Sequence, residues 1–307
     1  MPAVVETNHL SYTYLPGSVY EHQALKDISI SLAKGEFLGI LGPNGSGKST
    51  LAQHFNGLLR PTSGQMTVCG IPTSDPKRSK DLWKKAGLVF QYPEQQIFQI
   101  TVFDEVAYGP RNLGLPETEV AERVHDALQQ VGINQENINQ LAPVTLSGGM
   151  RRRIAIAGIL AIQPEILILD EPMAGLDAAG RRLLSDIFKQ RQEKKETTVM
   201  ISHNLKEIMT ITDKIAILDS GSMIFFGDVK DLLMKPEILS RYQLELPEYL
   251  QVVYRLAEKG FAIKTDISST EEAGEEILRF LQENKYGGVT KRPLFTGEPA
   301  AKSKINR

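Results

Sequence analysis

Short apolar runs recur along the first three quarters of the chain, separated by segments whose apolar residues have helical spacing. The runs that we interpret as buried strands cover 35–42, 87–91, 166–169, 198–202 and 214–218. Between them, helices are expected from Lys48 to about Gly57, over 183–191 and from Asn204. Strands that alternate with helices are typical of a largely parallel sheet with helices on its faces. The hydrophobic pattern therefore predicts an α/β fold.

Further strands are predicted on either side of this alternating region. Residues 4–14 alternate loosely and break at a Pro-Gly pair, which indicates an edge strand followed by a turn. Another short strand is predicted at 65–70, and residues 223–226 are expected to pair back on 214–218 through a turn.

The stretch from 101 to 163 is an insertion into this plan, because its apolar residues follow a helical period. One predicted helix face consists of Val120, Val124, Leu128 and Val131. Gly132 is expected to end that helix. Ser147 stands where an N-cap residue is favoured, ahead of the apolar run at 154–160. We therefore predict a helical subdomain at about 101–163.

A domain boundary is predicted near two prolines in the segment 228–247. We expect a main domain over 1–235, an extension over 236–290 and a flexible tail over 291–307. The extension holds two amphipathic helices, the second opened by Ser-Thr-Glu-Glu at 269–272, which resembles a capping box. Two such helices cannot make a sizeable core alone, so they should pack on the main domain or on a partner.

Composition narrows the class of protein further. The chain has 307 residues, 41% hydrophobic and 23% charged, which is ordinary for a globular protein. Its formal net charge of −2 offers no basic field for nucleic acid. Cys69 is the only cysteine, so an internal disulfide and a multi-cysteine zinc site are both excluded, which fits a reducing cytoplasm. No signal peptide is recognisable, and no apolar run reaches the ~18 residues of a spanning helix.

A glycine-rich loop supplies the first candidate chemistry. The sequence Gly42, Pro43, Asn44, Gly45, Ser46, Gly47, Lys48, Ser49 and Thr50 matches the phosphate-binding pattern G-x-x-x-x-G-K-[ST]. Glycines let backbone N–H groups surround a polyphosphate. Lys48 would reach the β and γ phosphates, and the Ser49 hydroxyl would hold Mg²⁺. The loop also lies between a predicted strand and a predicted helix, as this mechanism requires.

Two carboxylates follow the apolar run at 166–169, so they should emerge at the carboxyl end of a buried strand, where α/β sheets bind ligands. Asp170 suits the Mg²⁺ shell, and Glu171 suits the polarisation of an attacking water. Paired with the phosphate loop, they predict a site that hydrolyses a nucleoside triphosphate.

Leu-Ser-Gly-Gly-Met at 146–150 lies between the phosphate loop and the acidic pair, and this order resembles the ATP-binding cassette (ABC) ATPases. The resemblance implies a P-loop ABC nucleotide-binding domain, with a mixed sheet core and a helical subdomain, plus a small helical or α+β extension. It also implies ATP and Mg²⁺ as ligands. Ser147, Gly148 and Gly149 would complete the ATP site of a second subunit, so the resemblance implies a dimer. Met150 departs from the family's usual glutamine.

The same resemblance assigns roles to further residues. His203 matches a histidine that contacts the γ-phosphate. Gln91 matches a glutamine that touches magnesium and water while sensing a membrane partner. Tyr14 matches the aromatic residue that stacks on adenine, with Tyr12 as the competing candidate. Asp177 belongs to a segment that matches the loop aligning the two sites of the dimer. The other histidines match no motif and are interpreted as structural or surface residues, namely His9, His22, His54 and His125.

Within the ABC ATPases, several segments look like energy-coupling factor (ECF) transporter ATPases. They are Gln-Tyr-Pro-Glu-Gln-Gln-Ile-Phe at 91–98, Thr-Val-Phe-Asp-Glu-Val-Ala-Tyr-Gly-Pro at 101–110, Asn-Leu-Gly at 112–114 and Arg-Arg-Ile-Ala-Ile-Ala-Gly at 152–158. The resemblance implies a peripheral protein on the cytoplasmic face of the cell membrane. Its partners would be a second ATPase, a membrane coupling subunit and, through the complex, a substrate-binding membrane subunit. Glu94 is the candidate charge partner of the coupling subunit, and the extension would help the ATPases dimerise.

The function expected from this resemblance is that of an ATP-hydrolysing motor that powers uptake of a vitamin or transition-metal ion. The alternative is the ATPase of a conventional ABC importer or exporter, against which the stretch at 91–114 argues. Soluble ABC proteins of DNA repair, chromosome maintenance or translation control carry long coiled coils, zinc cysteines or two cassettes. This sequence has none of these features.

Overall fold

The computed structural model describes residues 2–133, 140–265, 267 and 269–286. The chain divides into two compact units, Met1–Leu232 and Leu233–Arg307, close to the predicted boundary at 235. The predicted tail at 291–307 and the last residues of the predicted extension lie outside the described residues. No helix in the described part of the chain is both long and apolar enough to cross a membrane.

Within the described residues, ten strands form one sheet. The strands are β1 (Ala3–Tyr14), β2 (His22–Ala33), β3 (Phe37–Leu41), β4 (Ser63–Val68), β5 (Ile71–Pro72), β6 (Ala86–Val89), β7 (Ile166–Asp170), β8 (Thr197–Ile201), β9 (Lys214–Asp219) and β10 (Ser222–Asp228). Their order across the sheet is β5-β4-β1-β2-β10-β9-β3-β8-β7-β6.

The helices of the first unit connect and cover these strands. They are α1 (Lys48–Phe55), α2 (Val102–Asn112), α3 (Glu117–Gln130), α4 (Gly148–Leu160), α5 (Ala178–Glu193), α6 (Leu205–Ile208) and α7 (Val229–Leu233), which reaches the division between the units. The helix predicted from Asn204 is therefore a single turn. Its start is held by the Asn204 side chain, which accepts the N–H of Lys206 at 3.0 Å.

The centre of the sheet is parallel, as the hydrophobic pattern predicts. Strands β6, β7, β8, β3 and β9 pair in parallel, and every residue of β3, β6, β7 and β8 is buried. Continuous apolar runs suit such strands because both of their faces are covered. The predicted turn at 219–222 is confirmed, since β10 pairs antiparallel with β9.

The prediction that residues 4–14 form an edge strand is wrong. Strand β1 pairs antiparallel with β2 on one side and with β4 on the other, so it lies inside the sheet. Strand β2, which we did not predict, follows directly from the turn at the end of β1. Register shifts along β1 loosen its alternation, and this irregularity explains why the pattern resembles that of an edge.

Between β6 and β7, where a helical subdomain is predicted, the chain forms α2, α3 and α4. Thr101 caps α2 by accepting the N–H of Asp104 at 3.0 Å. Ser147 caps α4 as predicted, accepting the N–H of Met150 at 3.3 Å. Gly132 follows the end of α3 with a φ of +68°, a conformation that favours glycine.

The second unit contains helices α8 (Pro236–Arg241), α9 (Glu248–Glu258) and α10 (Thr270–Tyr286). The buried side of α9 is formed by Leu250, Val253 and Ala257, as its apolar stripe predicts. The Ser269 hydroxyl accepts the N–H of Glu272 at 3.1 Å, which is one half of the predicted capping box.

Candidate functional site

The phosphate loop connects strand β3 to helix α1, as predicted. Gly42 has a φ of +145°, and a Cβ added there would lie 2.1 Å from the Leu218 carbonyl oxygen. Gly47 has a φ of +102°, and an added Cβ would meet the Ala24 carbonyl at 2.6 Å. A side chain at either position would therefore collide with neighbouring backbone, so the loop requires glycine at both.

Lys48 crosses this loop and is almost fully buried. Its Nζ donates to the carbonyl oxygens of Gly42 at 2.8 Å and Pro43 at 2.9 Å. Burial lowers the pKa of Lys48, while the nearby carboxylates of Glu171 and Asp170 act in the opposite direction. Within the described residues, the hydrogen bonds of the Lys48 ammonium go to neutral carbonyl oxygens, and two carboxylates nearby favour its charged form. Such an ammonium group can form stronger, charge-assisted hydrogen bonds to phosphate oxygens.

The loop borders an open cavity of about 410 Å³. Its lining consists of Tyr14, His22, Ala24, Asn44, Gly45, Ser46, Gly47, Lys48, Ser49, Thr50, Gln91, Asp170 and Glu171. The fold thus brings together four predicted parts from distant positions in the sequence: the aromatic residue, the phosphate loop, the glutamine and the acidic pair.

Asp170 ends β7 and faces the loop. Burial raises the pKa of Asp170, and a hydrogen bond from Ser49 together with the charge of Lys48 opposes that shift. Within the described residues, no three carboxylate, histidine or cysteine side chains cluster as metal ligands. Mg²⁺ commonly binds through one or two protein ligands together with phosphate oxygens and water. The adjacent hydroxyl and carboxylate of Ser49 and Asp170 fit that requirement.

Glu171 follows with a left-handed backbone, at a φ of +50°. Its N–H donates to the Ile201 carbonyl at 3.0 Å, which extends the β7–β8 pairing by one residue. The two carboxylate oxygens lie 3.0 and 2.9 Å from Nδ1 of His203. The side chain of Glu171 is 11% exposed and that of His203 is 67% exposed. His203 therefore holds the carboxylate from the solvent side, a contact that the sequence did not indicate.

Tyr14 and Tyr12 have different surroundings. The Tyr14 hydroxyl lies 3.2 Å from Oγ1 of Thr50, and Tyr14 lines the cavity. Tyr12 packs edge-on against both Tyr14 and the buried His54, with ring centroids 4.7 and 4.8 Å apart. Tyr12 thus supports Tyr14 from behind, which favours Tyr14 as the residue that contacts the base.

His22 also lines the cavity, although we interpreted it as a structural or surface residue. It is the cross-strand partner of Tyr14 in the β1–β2 pair. Recognising strand β2 and its register would have placed His22 beside Tyr14. The other three histidines that match no motif, His9, His54 and His125, do not line the cavity. His54 is buried, with Nδ1 2.7 Å from the Thr50 carbonyl.

We expect Tyr14→Ala to weaken ATP binding about 10-fold, because aromatic stacking contributes about 1–3 kcal/mol per base. Binding of inorganic triphosphate, which has no base, should be unchanged. Displacement of a fluorescent nucleotide measures both affinities. Tyr14→Phe is the matched control, since it keeps the ring and removes only the hydroxyl contact with Thr50. Equal losses for ATP and triphosphate would remove Tyr14 from this role.

The Leu-Ser-Gly-Gly-Met segment lies apart from this cavity. Ser147, Gly148 and Gly149 are exposed and do not line it. A Cβ added at Gly148 or Gly149 would meet nothing within 4 Å. The open start of helix α4 therefore leaves room for an external group to approach closely.

A family model described as ABC transporter matches residues 25–174. Over 287 residues the chain is 45% identical to the energy-coupling factor transporter ATP-binding protein EcfA2 of Caldanaerobacter subterraneus subsp. tengcongensis, and the match covers 93% of this chain and 99% of that protein. The chain belongs to the family of ECF transporter ATP-binding proteins. EcfA1 of the same organism is 40% identical over 280 residues, covering 91% of this chain and all of that protein.

Solved structures agree with this family. CbiO1 from Clostridium perfringens, part of the ABC transporter complex CbiONQ, matches with a TM-score of 0.66 at 34% identity. That match covers 84% of this chain and 100% of CbiO1. The dimeric ATP-binding cassette MJ0796, in a post-hydrolysis state bound to ADP and Pi, matches with a TM-score of 0.65 at 27% identity, covering 73% of this chain and 98% of that one. The fold is therefore that of an ABC ATPase.

In this ECF ATPase, a second cavity of about 370 Å³ lies beside the segment that follows Gln91. Its lining consists of Glu94, Ile97, Phe98, Gln99, Ile100, Ala142, Pro143, Val144 and Arg151. We call this surface the Glu94 groove. Phe98, Ile100 and Val144 are exposed at its rim. Oε2 of Glu94 and Nε of Arg151 are buried without a hydrogen-bond partner among the described residues.

The groove segment is attached to the helical subdomain of the ECF ATPase. The Glu105 carboxylate on α2 accepts the backbone N–H groups of Phe98 and Gln99 at 3.1 and 2.9 Å. The Phe98 ring packs edge-on against Tyr108, with centroids 4.9 Å apart. Movement of this segment would therefore be transmitted to α2.

Proposed function

We propose that this chain is the ATP-hydrolysing subunit of an ECF transporter, bound at the cytoplasmic face of the membrane. The observation that carries the proposal is the single cavity in which the phosphate loop, Gln91, Asp170 and Glu171 meet. The similarity to named ECF ATP-binding proteins over nearly their whole length supports the same conclusion.

The proposed roles follow from the positions of the side chains. The backbone of 42–50 and Lys48 bind the phosphates, Tyr14 contacts adenine, and Ser49, Asp170 and Gln91 hold Mg²⁺. Bound Mg²⁺ would supply positive charge that offsets the negative charge on the phosphate oxygens. Glu171 accepts a proton from the attacking water, with His203 holding its carboxylate and contacting the γ-phosphate.

A second ABC ATPase completes each site in this proposal, either another copy of this chain or a paralogue. Ser147, Gly148 and Gly149 are exposed at the start of α4 and would donate to the γ-phosphate held by the partner. Asp177, which caps α5 by accepting the Gly180 N–H at 2.7 Å, belongs to the loop that would align the two sites. The dimeric cassette among the structural relatives supports this arrangement. ATP binding would close the dimer, and hydrolysis would reopen it.

The membrane coupling subunit is proposed to bind in the Glu94 groove. An apolar rim around a buried carboxylate oxygen that has no hydrogen-bond partner in the described part of the chain suits a helix that carries both apolar residues and an arginine. The complex would also hold a substrate-binding membrane subunit and take up a vitamin or a transition-metal ion.

We expect Glu94→Lys to weaken assembly with the coupling subunit at least about 10-fold, because leaving a buried interfacial charge unpaired costs about 2–5 kcal/mol. Nucleotide binding by the isolated ATPase should be unchanged, since Glu94 does not line the nucleotide cavity. Co-purification of the membrane subunits measures assembly. Gln95→Lys, which adds the same charge to the exposed neighbouring residue, is the matched control. Normal assembly and transport by Glu94→Lys would exclude the contact.

The function is tested by purifying the tagged chain from detergent-solubilised native membranes and identifying its partners by mass spectrometry. We expect a small polytopic coupling subunit, a substrate-binding membrane protein and, if the dimer is mixed, a second ATPase. Conventional permease subunits would instead identify an ordinary ABC importer or exporter. Recovery of soluble or nucleic-acid partners alone would overturn the transport assignment.

A further inference from the structure

Arg152 extends from helix α4 to the loop that connects β7 with α5. Its Nη1 donates to the Ala174 carbonyl at 2.6 Å, and its Nη2 donates to the carbonyls of Glu171 and Pro172 at 3.0 Å each. The residue is 6% exposed. One buried guanidinium thus binds three acceptors within a segment of four residues.

These carbonyl groups need an external donor. The loop at 171–177 is neither strand nor helix, so its carbonyls cannot all be satisfied by regular backbone pairing. Glu171 and Pro172 are buried, and water therefore has little access to them. Without Arg152, the buried Pro172 carbonyl would lose its donor, and the Glu171 carbonyl would keep only the Ala174 N–H at 3.3 Å.

The contact with Glu171 bears directly on the candidate catalytic carboxylate. Glu171 is a non-glycine residue with a φ of +50°, and such a conformation persists only where its surroundings hold it. The Arg152 hydrogen bond holds the peptide group on the carboxyl side of Glu171. The Ile201 carbonyl holds the N–H on the other side at 3.0 Å. Together they determine the direction in which the Glu171 side chain leaves the backbone.

Only an arginine can make this set of contacts. Its rigid planar fork presents several N–H donors at once, whereas a lysine ammonium is a compact charge on a flexible stem. Burial lowers the pKa of Arg152, and the negative charge of Glu94 acts against that shift. The guanidinium thus feels the charge of Glu94 while it binds the carbonyls of the loop that begins with Glu171.

We propose that Arg152 is a positioning residue that holds the backbone at 171–174 in the conformation from which Glu171 acts, and joins it to the helix that carries Ser147. The inference rests on the proposed catalytic role of Glu171. It extends that role by adding a direct link between helix α4 of a subunit, which begins at the Leu-Ser-Gly-Gly-Met segment, and the loop at 171–177 of the same subunit. Ser147, which serves the ATP site of the partner, is thereby connected to Glu171, which serves the ATP site of its own subunit.

The test uses the full chain assembled with its membrane partners and compares wild type with Arg152→Lys. The substitution keeps the charge but cannot bind three carbonyls in a fixed fork. We expect kcat for ATP hydrolysis to fall roughly 10- to 100-fold, since misplacing a catalytic group by about 1 Å has an effect of that size. The KM and the directly measured Kd for ATP should stay within about twofold, because the phosphate loop is untouched.

Arg153→Lys is the matched control, because it makes the same change at the neighbouring, more exposed position of α4. It should leave kcat, KM and the melting temperature unchanged. Arg152→Gln, which still donates to one carbonyl, provides a second variant and should also lower kcat with little change in Kd. If both Arg152 variants lose the ATP-dependent rise in melting temperature, they no longer bind ATP, so the effect is not confined to the position of Glu171 and the inference is rejected.

The remaining outcomes separate the two proposals. Arg152→Lys with wild-type kcat, beside an inactive Glu171→Gln, would overturn the positioning role and leave the ATPase assignment intact. An equal loss of kcat and nucleotide affinity would also overturn it, because the substitution would then disturb the whole nucleotide site and not the position of Glu171 alone. A wild-type complex without ATPase activity would instead overturn the proposed function itself.

Discussion

Replacing Glu171 by glutamine is expected to lower ATP turnover about 100- to 10,000-fold, the range that a positioned general base contributes. Glutamine has almost the same shape as glutamate but cannot accept the proton of the attacking water. ATP binding should stay near the wild-type value, because Lys48 and the phosphate loop are unaltered. The protein should therefore accumulate as an ATP-bound closed dimer.

Two measurements check this expectation. Steady-state phosphate release gives the turnover, and size-exclusion chromatography with ATP gives the dimer fraction. Glu193→Gln, at an exposed position at the end of α5, makes the same chemical change away from the cavity and should behave as wild type. Near-normal turnover by Glu171→Gln would remove Glu171 from the catalytic role.

The second large effect is expected from Lys48→Ala. Hydrogen bonds to charged groups contribute about 1.5–3 kcal/mol each, so losing one to a phosphate should weaken ATP binding at least about 10-fold. The loss of binding energy should exceed any loss of folding stability, because within the described residues the hydrogen bonds of Lys48 Nζ go to two carbonyls of its own loop. Hydrolysis would fall with the occupancy of the site.

Fluorescent-nucleotide titration together with thermal melting separates binding from folding in this variant. Lys189→Ala removes an exposed lysine from α5 and provides the control. An unchanged ATP affinity in a folded Lys48→Ala protein would contradict the assignment of the phosphate loop. A lower affinity with a normal melting temperature in the absence of nucleotide would support it.

Local features of the chain were predictable because each depends on a short window of sequence. Apolar runs predicted β3, β7, β8 and β9, and Ser147 predicted the start of α4, where its hydroxyl does accept an N–H. The glycine pattern predicted a phosphate loop between β3 and α1, and the loop is there. Strand length, capping and left-handed glycines are properties of a few consecutive residues.

Strand order was beyond the reach of these patterns. Strand β1 was predicted at an edge, yet it lies between β2 and β4, because pairing depends on segments that are distant in sequence. Missing β2 also hid His22, whose place beside Tyr14 is set by the register of the β1–β2 pair. Alternation shows which face of a strand is buried, but it does not show which strand is the neighbour.

The sequence by itself determined the class of chemistry: a phosphate loop, an acidic pair after a buried strand and a signature segment in an order that resembles ABC ATPases. Only the tertiary structure decided how those parts act on one another. It placed His203 on the Glu171 carboxylate and Arg152 on the carbonyls that follow it. Side-chain contacts of this kind join residues 19 and 32 positions apart. They exist because the parallel strands β7 and β8 have their carboxyl ends on the same side of the sheet, and a side chain of helix α4 reaches the loop that follows β7.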